Sequence, residues 1–138
     1  MSDNDCIFCK IAVGKIPCLK IYEDEKVLAF LDIGPLSDGH TLVIPKEHCT
    51  KVHNSNVESL SAIAAVLPKI TAAVSAATEA DGYNVLCNNG RAAGQLVEHL
   101  HFHIIPRKIG DGVFTQWPAG KYPRGKAEKL AEKIIAKL

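Results

Sequence analysis

Apolar positions along the chain recur in two rhythms. Residues 5–13 place Ile7, Phe8, Ile11 and Ala12 at helical spacing and stop at Gly14, which predicts a short helix. Residues 19–22, 27–32 and 41–44 are short apolar or alternating segments punctuated by Asp24-Glu25, Gly34-Pro35 and Asp38-Gly39. They read as three strands of an antiparallel meander. Leu60, Ile63, Leu67, Ile70 and Val74 then return every three or four residues, predicting an amphipathic helix opened by a Ser55/Glu58 capping box and closed near Asp81-Gly82. Pro68 falls inside it. A missing N–H and a ring clash cost roughly 3 kcal/mol in a regular helix, so a kink or two abutting helices is expected there. Residues 83–87 and 98–105 read as two further strands. The chain after Pro106 reads as loop to about residue 125, and residues 126–138 as a last helix mixing Leu130, Ile134, Ile135 and Leu138 with lysines.

The last strand is unusual. His99-Leu100-His101-Phe102-His103-Ile104 alternates imidazoles with large apolar side chains. On a strand that spacing turns the three histidines to one face and Leu100, Phe102 and Ile104 to the core. A half-buried strand has no need of histidine on its open face, and half of the chain's six histidines are gathered here. Two chemistries use such an array. Histidines at i and i+2 can reach one metal ion, or one neutral imidazole can attack phosphorus while its neighbours bind phosphoryl oxygens and manage protons.

Whole-chain properties narrow the field. With 138 residues, 16 basic and 15 acidic side chains and a net charge of +1, the chain reads as one domain without a broad cationic face for nucleic acid. The partner is expected to be small. Five cysteines, an odd number, behind no basic-then-apolar leader predict a reducing compartment, the cytosol with or without the nucleus. No apolar run is read as approaching the roughly 20 residues of a bilayer span, so no membrane partner is expected.

Two further segments carry chemistry. Cys6-x-x-Cys9 is a close thiol pair that His48 and one strand histidine can complete as a Cys₂His₂ zinc site, against the plainer reading of two small buried thiols. Cys18, Cys49 and Cys87 sit singly in apolar surroundings and read as core fillers. The loop Asn88-Asn89-Gly90-Arg91-Ala92-Ala93-Gly94-Gln95 leads into the histidine strand, and its small residues suit close approach of an anion to backbone N–H groups.

His99 through Ile105 resembles the His-φ-His-φ-His-φ-φ signature of the histidine triad (HIT) superfamily. Cys6-Ile7-Phe8-Cys9-Lys10-Ile11, Ala29-Phe30-Leu31-Asp32-Ile33, the segment Gly39 to His48 and the loop Asn88 to Gln95 are similar to its Hint-type nucleotide-binding branch. The resemblance spans a motif-bearing core, residues 6–108, and leaves a tail, residues 109–138. It implies an α+β fold with a five-stranded antiparallel sheet, a long helix and a C-terminal helix, two subunits joining into a ten-stranded sheet. It further implies a purine mononucleotide such as AMP or GMP in each subunit. His101 would be the nucleophile, the backbone carbonyl of His99 would fix its tautomer, His103 would bind the α-phosphate and His40 would help orient the centre. Asp32 would bind the ribose hydroxyls, Ile7, Phe8, Ile11, Phe30 and Ile33 would clamp the base, and Asn88, Gly94 and Gln95 would face the phosphate and leaving group. Cys6, Cys9, His48 and His99 fall at the positions of a structural zinc site.

One position departs from the pattern. Where the family usually places Ser or Thr after Gly-Gln, this chain has Leu96, and a hydrogen bond to a charged group is worth roughly 1.5–3 kcal/mol. The motif Pro106-Arg107-Lys108-Ile109-Gly110-Asp111 also resembles the Fhit branch, which keeps dinucleoside polyphosphates as an alternative substrate. The reading is a homodimeric nucleoside phosphoramidase that cuts a P–N bond through a nucleotidyl-histidine. Set against it are a zinc hydrolase using the strand histidines as catalytic ligands and a non-catalytic nucleotide-binding adaptor.

Overall fold

Residues 27–31 and 41–45 are apolar at every position but Thr41, so both faces of the sheet must be covered. In a computed structural model describing residues 5–114 and 117–138, the strands are β1 (Lys20–Glu23), β2 (Val27–Leu31), β3 (Thr41–Pro45), β4 (Gly82–Leu86) and β5 (Phe102–Arg107). They form one antiparallel sheet in the order β1-β2-β3-β5-β4. On one face Val27, Ala29, Val43 and Ile104 meet Ile63, Val66, Ile70 and Val74 of the long helix α2 (Val57–Thr78). On the other, Leu28, Phe30, Leu42 and Ile44 meet Cys6 and Phe8, at the start of the short helix α1 (Ile7–Ala12). Cys49 and Cys87 lie at the margin of the first core and Cys18 at that of the second. A third helix, α3 (Lys126–Ile135), buries none of its residues.

Several local expectations need correction. α2 is capped by Asn56, whose side chain accepts from the Ser59 N–H at 2.8 Å, while the Ser55 hydroxyl turns back to the Val52 carbonyl. The helix runs unbroken past Pro68 rather than splitting in two. Pro68 and Ala64, the residue whose carbonyl loses a donor, both lie on the exposed side, where water can replace the missing bond. Over its 22 residues α2 is by length and composition apolar enough to cross a bilayer, contrary to the expectation. Its alanines supply what large apolar residues do not.

The regular part of β5 begins only at Phe102, so His99 and His101 precede the ladder and only His103 belongs to it. Leu100 and Ile104 still point into the α2 core, as the alternation requires. His103 pairs with Leu42 of β3 and Leu86 of β4.

The turn between β2 and β3 delivers His40 and rests on Gly39. Its φ is +86°, and a Cβ there would stand 2.5 Å from Thr78 Cγ2 and 3.3 Å from Pro106 Cγ. The Ser37 hydroxyl ties the same turn to the Pro106 carbonyl at 2.6 Å. Left-handed backbone costs a non-glycine residue about 1–2 kcal/mol and overpacking about 1–3 more. Gly39→Ala is therefore expected to lose about 2–5 kcal/mol of unfolding free energy in urea titration, whereas Gly14→Ala, with open space around it, loses only the backbone part.

Candidate active site

Three imidazoles converge where β3, β5 and the turn before β3 meet. His101 is buried, and its Nδ1 lies 2.6 Å from the His99 carbonyl. A carbonyl only accepts, so Nδ1 carries the proton and Nε2 keeps its lone pair. Phe8 meets the ring edge-on at 5.2 Å between centroids, and the His103 ring stands at 4.9 Å from it.

The tautomer of His103 is set two residues away in space. The Leu36 N–H donates to His40 Nδ1 at 3.0 Å, so a neutral His40 carries its proton on Nε2, 2.8 Å from His103 Nδ1. His103 Nδ1 must then accept, and its remaining proton sits on Nε2. That Nε2 is buried with no hydrogen-bond partner among the described residues. It is a donor awaiting an acceptor.

All three rings are held neutral. Burial is the main cause of a lowered pKa at His40 and at His101, against the ordinary 6.5. Burial, then the neighbouring His101 and His40, hold His103 at about 4. The Asp32 carboxylate opposes the shift at each ring. It lies 3.6 Å from His40 Nε2 and accepts from the Gly34 N–H at 2.8 Å.

Among the described residues, two groups of side chains have the spacing of metal ligands. Asp32, His40 and His103 fail on protonation: His40 Nδ1 already accepts from Leu36, so Nε2 has no lone pair to give a cation. Cys6, Cys9, His48 and His99 pass. His99 is fully buried and its Nε2 donates to the Pro45 carbonyl at 2.8 Å. That turns the Nδ1 lone pair toward Cys6 Sγ at 3.4 Å, Cys9 Sγ at 3.5 Å and His48 Nδ1 at 3.3 Å. Cys9 Sγ and His48 Nδ1 are 3.3 Å apart. Tetrahedral bonds of about 2.0–2.3 Å separate their donors by about 3.3–3.8 Å.

Beside the imidazoles opens a cavity of about 310 Å³. Ile7, Phe8, Ile11, Phe30 and Ile33 line it as expected, together with Asp32, Gly94, His101 and His103. Ile16, Pro17, Cys18, Leu31, Leu42 and Val97 also line it and were not expected there, Cys18 because it reads as a core filler; Leu31 stands between the expected Phe30 and Asp32, and the others carry no signal beyond being apolar. Leu96 reaches the rim, 93% exposed. Asn88 and Gln95 do not line it. Asn88 spans the loop to the Gly94 carbonyl. Gln95 is buried: its Oε1 accepts from the Gly90 N–H, and its Nε2 donates to the carbonyls of Thr50 and Val97. Gln95 therefore locks the loop rather than facing a ligand. Arg107 and Asp111, of the Fhit-like segment, pair with each other away from the cavity.

The fold and this cluster of imidazoles define a histidine triad protein. The HIT domain matches residues 13–110, and the chain belongs to the HIT family. It is 46% identical over 134 residues to an adenosine 5′-monophosphoramidase of Schizosaccharomyces pombe, covering 96% of this chain and 98% of that one. The crystal structure of a histidine triad nucleotide-binding protein from Candida albicans superposes with a TM-score of 0.85 at 44% identity, covering 96% of each chain. A zinc-bound histidine triad protein from Mycobacterium smegmatis gives 0.76 at 37% identity, covering 99% of this chain and 96% of the other.

Among the described residues Asp32 is the carboxylate that raises all three ring pKa values, so removing its charge is expected to lower them. In Asp32→Asn the NMR titration midpoints of His101 and His103 are expected to fall below their wild-type positions, His103 from about 4. Midpoints that rise or stay fixed would show that Asp32 exerts no field on the triad.

Proposed function

We propose that this protein hydrolyses the P–N bond of purine nucleoside 5′-phosphoramidates, of the adenosine 5′-monophosphoramidate type, through a covalent nucleotidyl-His101. The observation that carries the reading is the 2.6 Å bond from His101 Nδ1–H to the His99 carbonyl, which leaves a neutral ring with a free Nε2 lone pair beside the cavity. The base lies between Ile7, Phe8, Ile11 and Phe30, the ribose hydroxyls meet Asp32, and the His103 Nε2–H donates to an α-phosphate oxygen. Attack by Nε2 forms a phosphorus–imidazole bond as the phosphorus–amine bond breaks, and the amine departs with a proton from solvent. The His99 carbonyl faces the ring as it becomes cationic. Water then cleaves the phosphorus–imidazole bond, releasing the nucleoside 5′-monophosphate and returning His101 to neutrality. With Leu96 at the rim, no hydroxyl from that position assists, and the His103 donor carries more of the phosphate binding. The similarity to a phosphoramidase over nearly the full length supports this chemistry.

Zinc held by Cys6, Cys9, His48 and His99 completes the reading. Its contribution is structural: it anchors α1 and the His99 ring. The donor set, the His99 tautomer and the zinc-bound relative support it. A reducing cytosol keeps the two thiols available as ligands. The assembly is a homodimer: β4 is an edge strand with Tyr83 and Val85 exposed, and pairing it with its copy extends the sheet to ten strands.

His101→Ala is expected to bind AMP within a few-fold of the wild type and to show no turnover of adenosine 5′-phosphoramidate. The wild type quenched in mid-reaction is expected to carry one added nucleotidyl group by mass spectrometry. Turnover by the variant at a tenth of the normal rate sinks the mechanism, and a diadenosine polyphosphate with the higher kcat/KM moves the substrate class. Removal of the ligand's 2′-hydroxyl is expected to weaken binding by roughly 1–3 kcal/mol, the cost of an unsatisfied buried polar group. Calorimetry should show that penalty shrinking in Asp32→Asn.

A further inference from the structure

α1 has six residues, well short of the roughly 12–15 an isolated helix needs to persist in water. Its order comes from outside. Cys6 caps it by accepting from the Cys9 N–H at 3.5 Å, and the same two sulfurs face His48 and His99. Between those donors in sequence stand Ile7 and Phe8, followed by Ile11, and all three line the cavity that holds His101 and His103. Phe8 touches both systems, edge-on to His99 at 5.9 Å and to His101 at 5.2 Å. Two turns of helix thus present thiol donors to one site and an apolar wall to the other.

We propose that α1 couples the two sites, so that filling the Cys6–Cys9–His48–His99 cluster with zinc tightens nucleotide binding, with Cys6 and Cys9 as positioning residues for the nucleotide. The inference rests on the zinc reading above. A nucleotide meeting the metal-free chain must order α1 as it binds, and one meeting the loaded chain finds the wall in place. Linkage makes the effect reciprocal: nucleotide raises zinc affinity by the same factor.

The test uses the full chain, zinc-loaded and chelator-stripped. Calorimetry with AMP is expected to show about tenfold weaker binding to the stripped chain, inside the roughly 5- to 150-fold span of coupled sites. Titration against a competing chelator is expected to show zinc held tighter by a matching factor when AMP is saturating. Hydrogen exchange is expected to lose protection in residues 8–13 on stripping and to regain it with AMP, while β2 and β3 stay protected. Equal AMP affinities with zinc demonstrably bound overturn the coupling alone. A drop in affinity with α1 still protected routes it through His99 and also overturns the proposal, as does loss of protection across β2 and β3, which makes the effect global. A chain that takes up no zinc overturns the zinc reading and this inference with it.

Discussion

The 2.6 Å hydrogen bond from His101 to the His99 carbonyl is possible because residues 99–101 stand outside the strand ladder. In regular antiparallel pairing that carbonyl faces a neighbouring strand or the open edge, away from the side chain two residues on. Here the chain enters β5 irregularly. The Leu100 N–H is tied to the Cys49 carbonyl at 2.7 Å, and the His99 ring is held by the Pro45 carbonyl and the thiol pair. The carbonyl thus has one fixed position and the His101 ring one tautomer.

The sheet divides labour between its faces. α2 covers one with aliphatic side chains and gives the domain its main core. The other carries Leu28, Phe30, Leu42 and Ile44, with His103 in register with Leu42, so the site grows directly from the second core. A shift of β5 by one residue would put His103 into the α2 core and Phe102 into the cavity. Pairing to both β3 and β4 resists that shift.

Much of this was legible in order along the chain. The periods of the apolar residues located the five strands and three α-helices of the described residues, most directly where an element buries a face that local spacing records, as β2, β3 and α2 do. The histidine alternation correctly separated Leu100 and Ile104 from the imidazoles, yet it overstated the regularity of β5, since nothing local reveals that Cys49 captures the Leu100 N–H. Gln95 shows the same limit: its neighbours suggest a ligand-facing amide, and only the fold reveals that Thr50 and Gly90 engage it. The Leu36 amide that orients His40 leaves no trace in residue type. Backbone donors are invisible to composition. The Ser55 cap failed for a smaller reason, as Asn56 beside it offers an equally good acceptor one residue closer to the helix.

The outer side of α2 has a consequence of its own. Ala64, Ala65, Ala72, Ala73, Ala76 and Ala77 lie exposed along it, with Pro68 among them. Alanine and proline have no rotamers to lose. A surface docking there would freeze no rotamers at these positions, so the entropy set against the contact would come only from the overall loss of free motion and from the partner's own side chains.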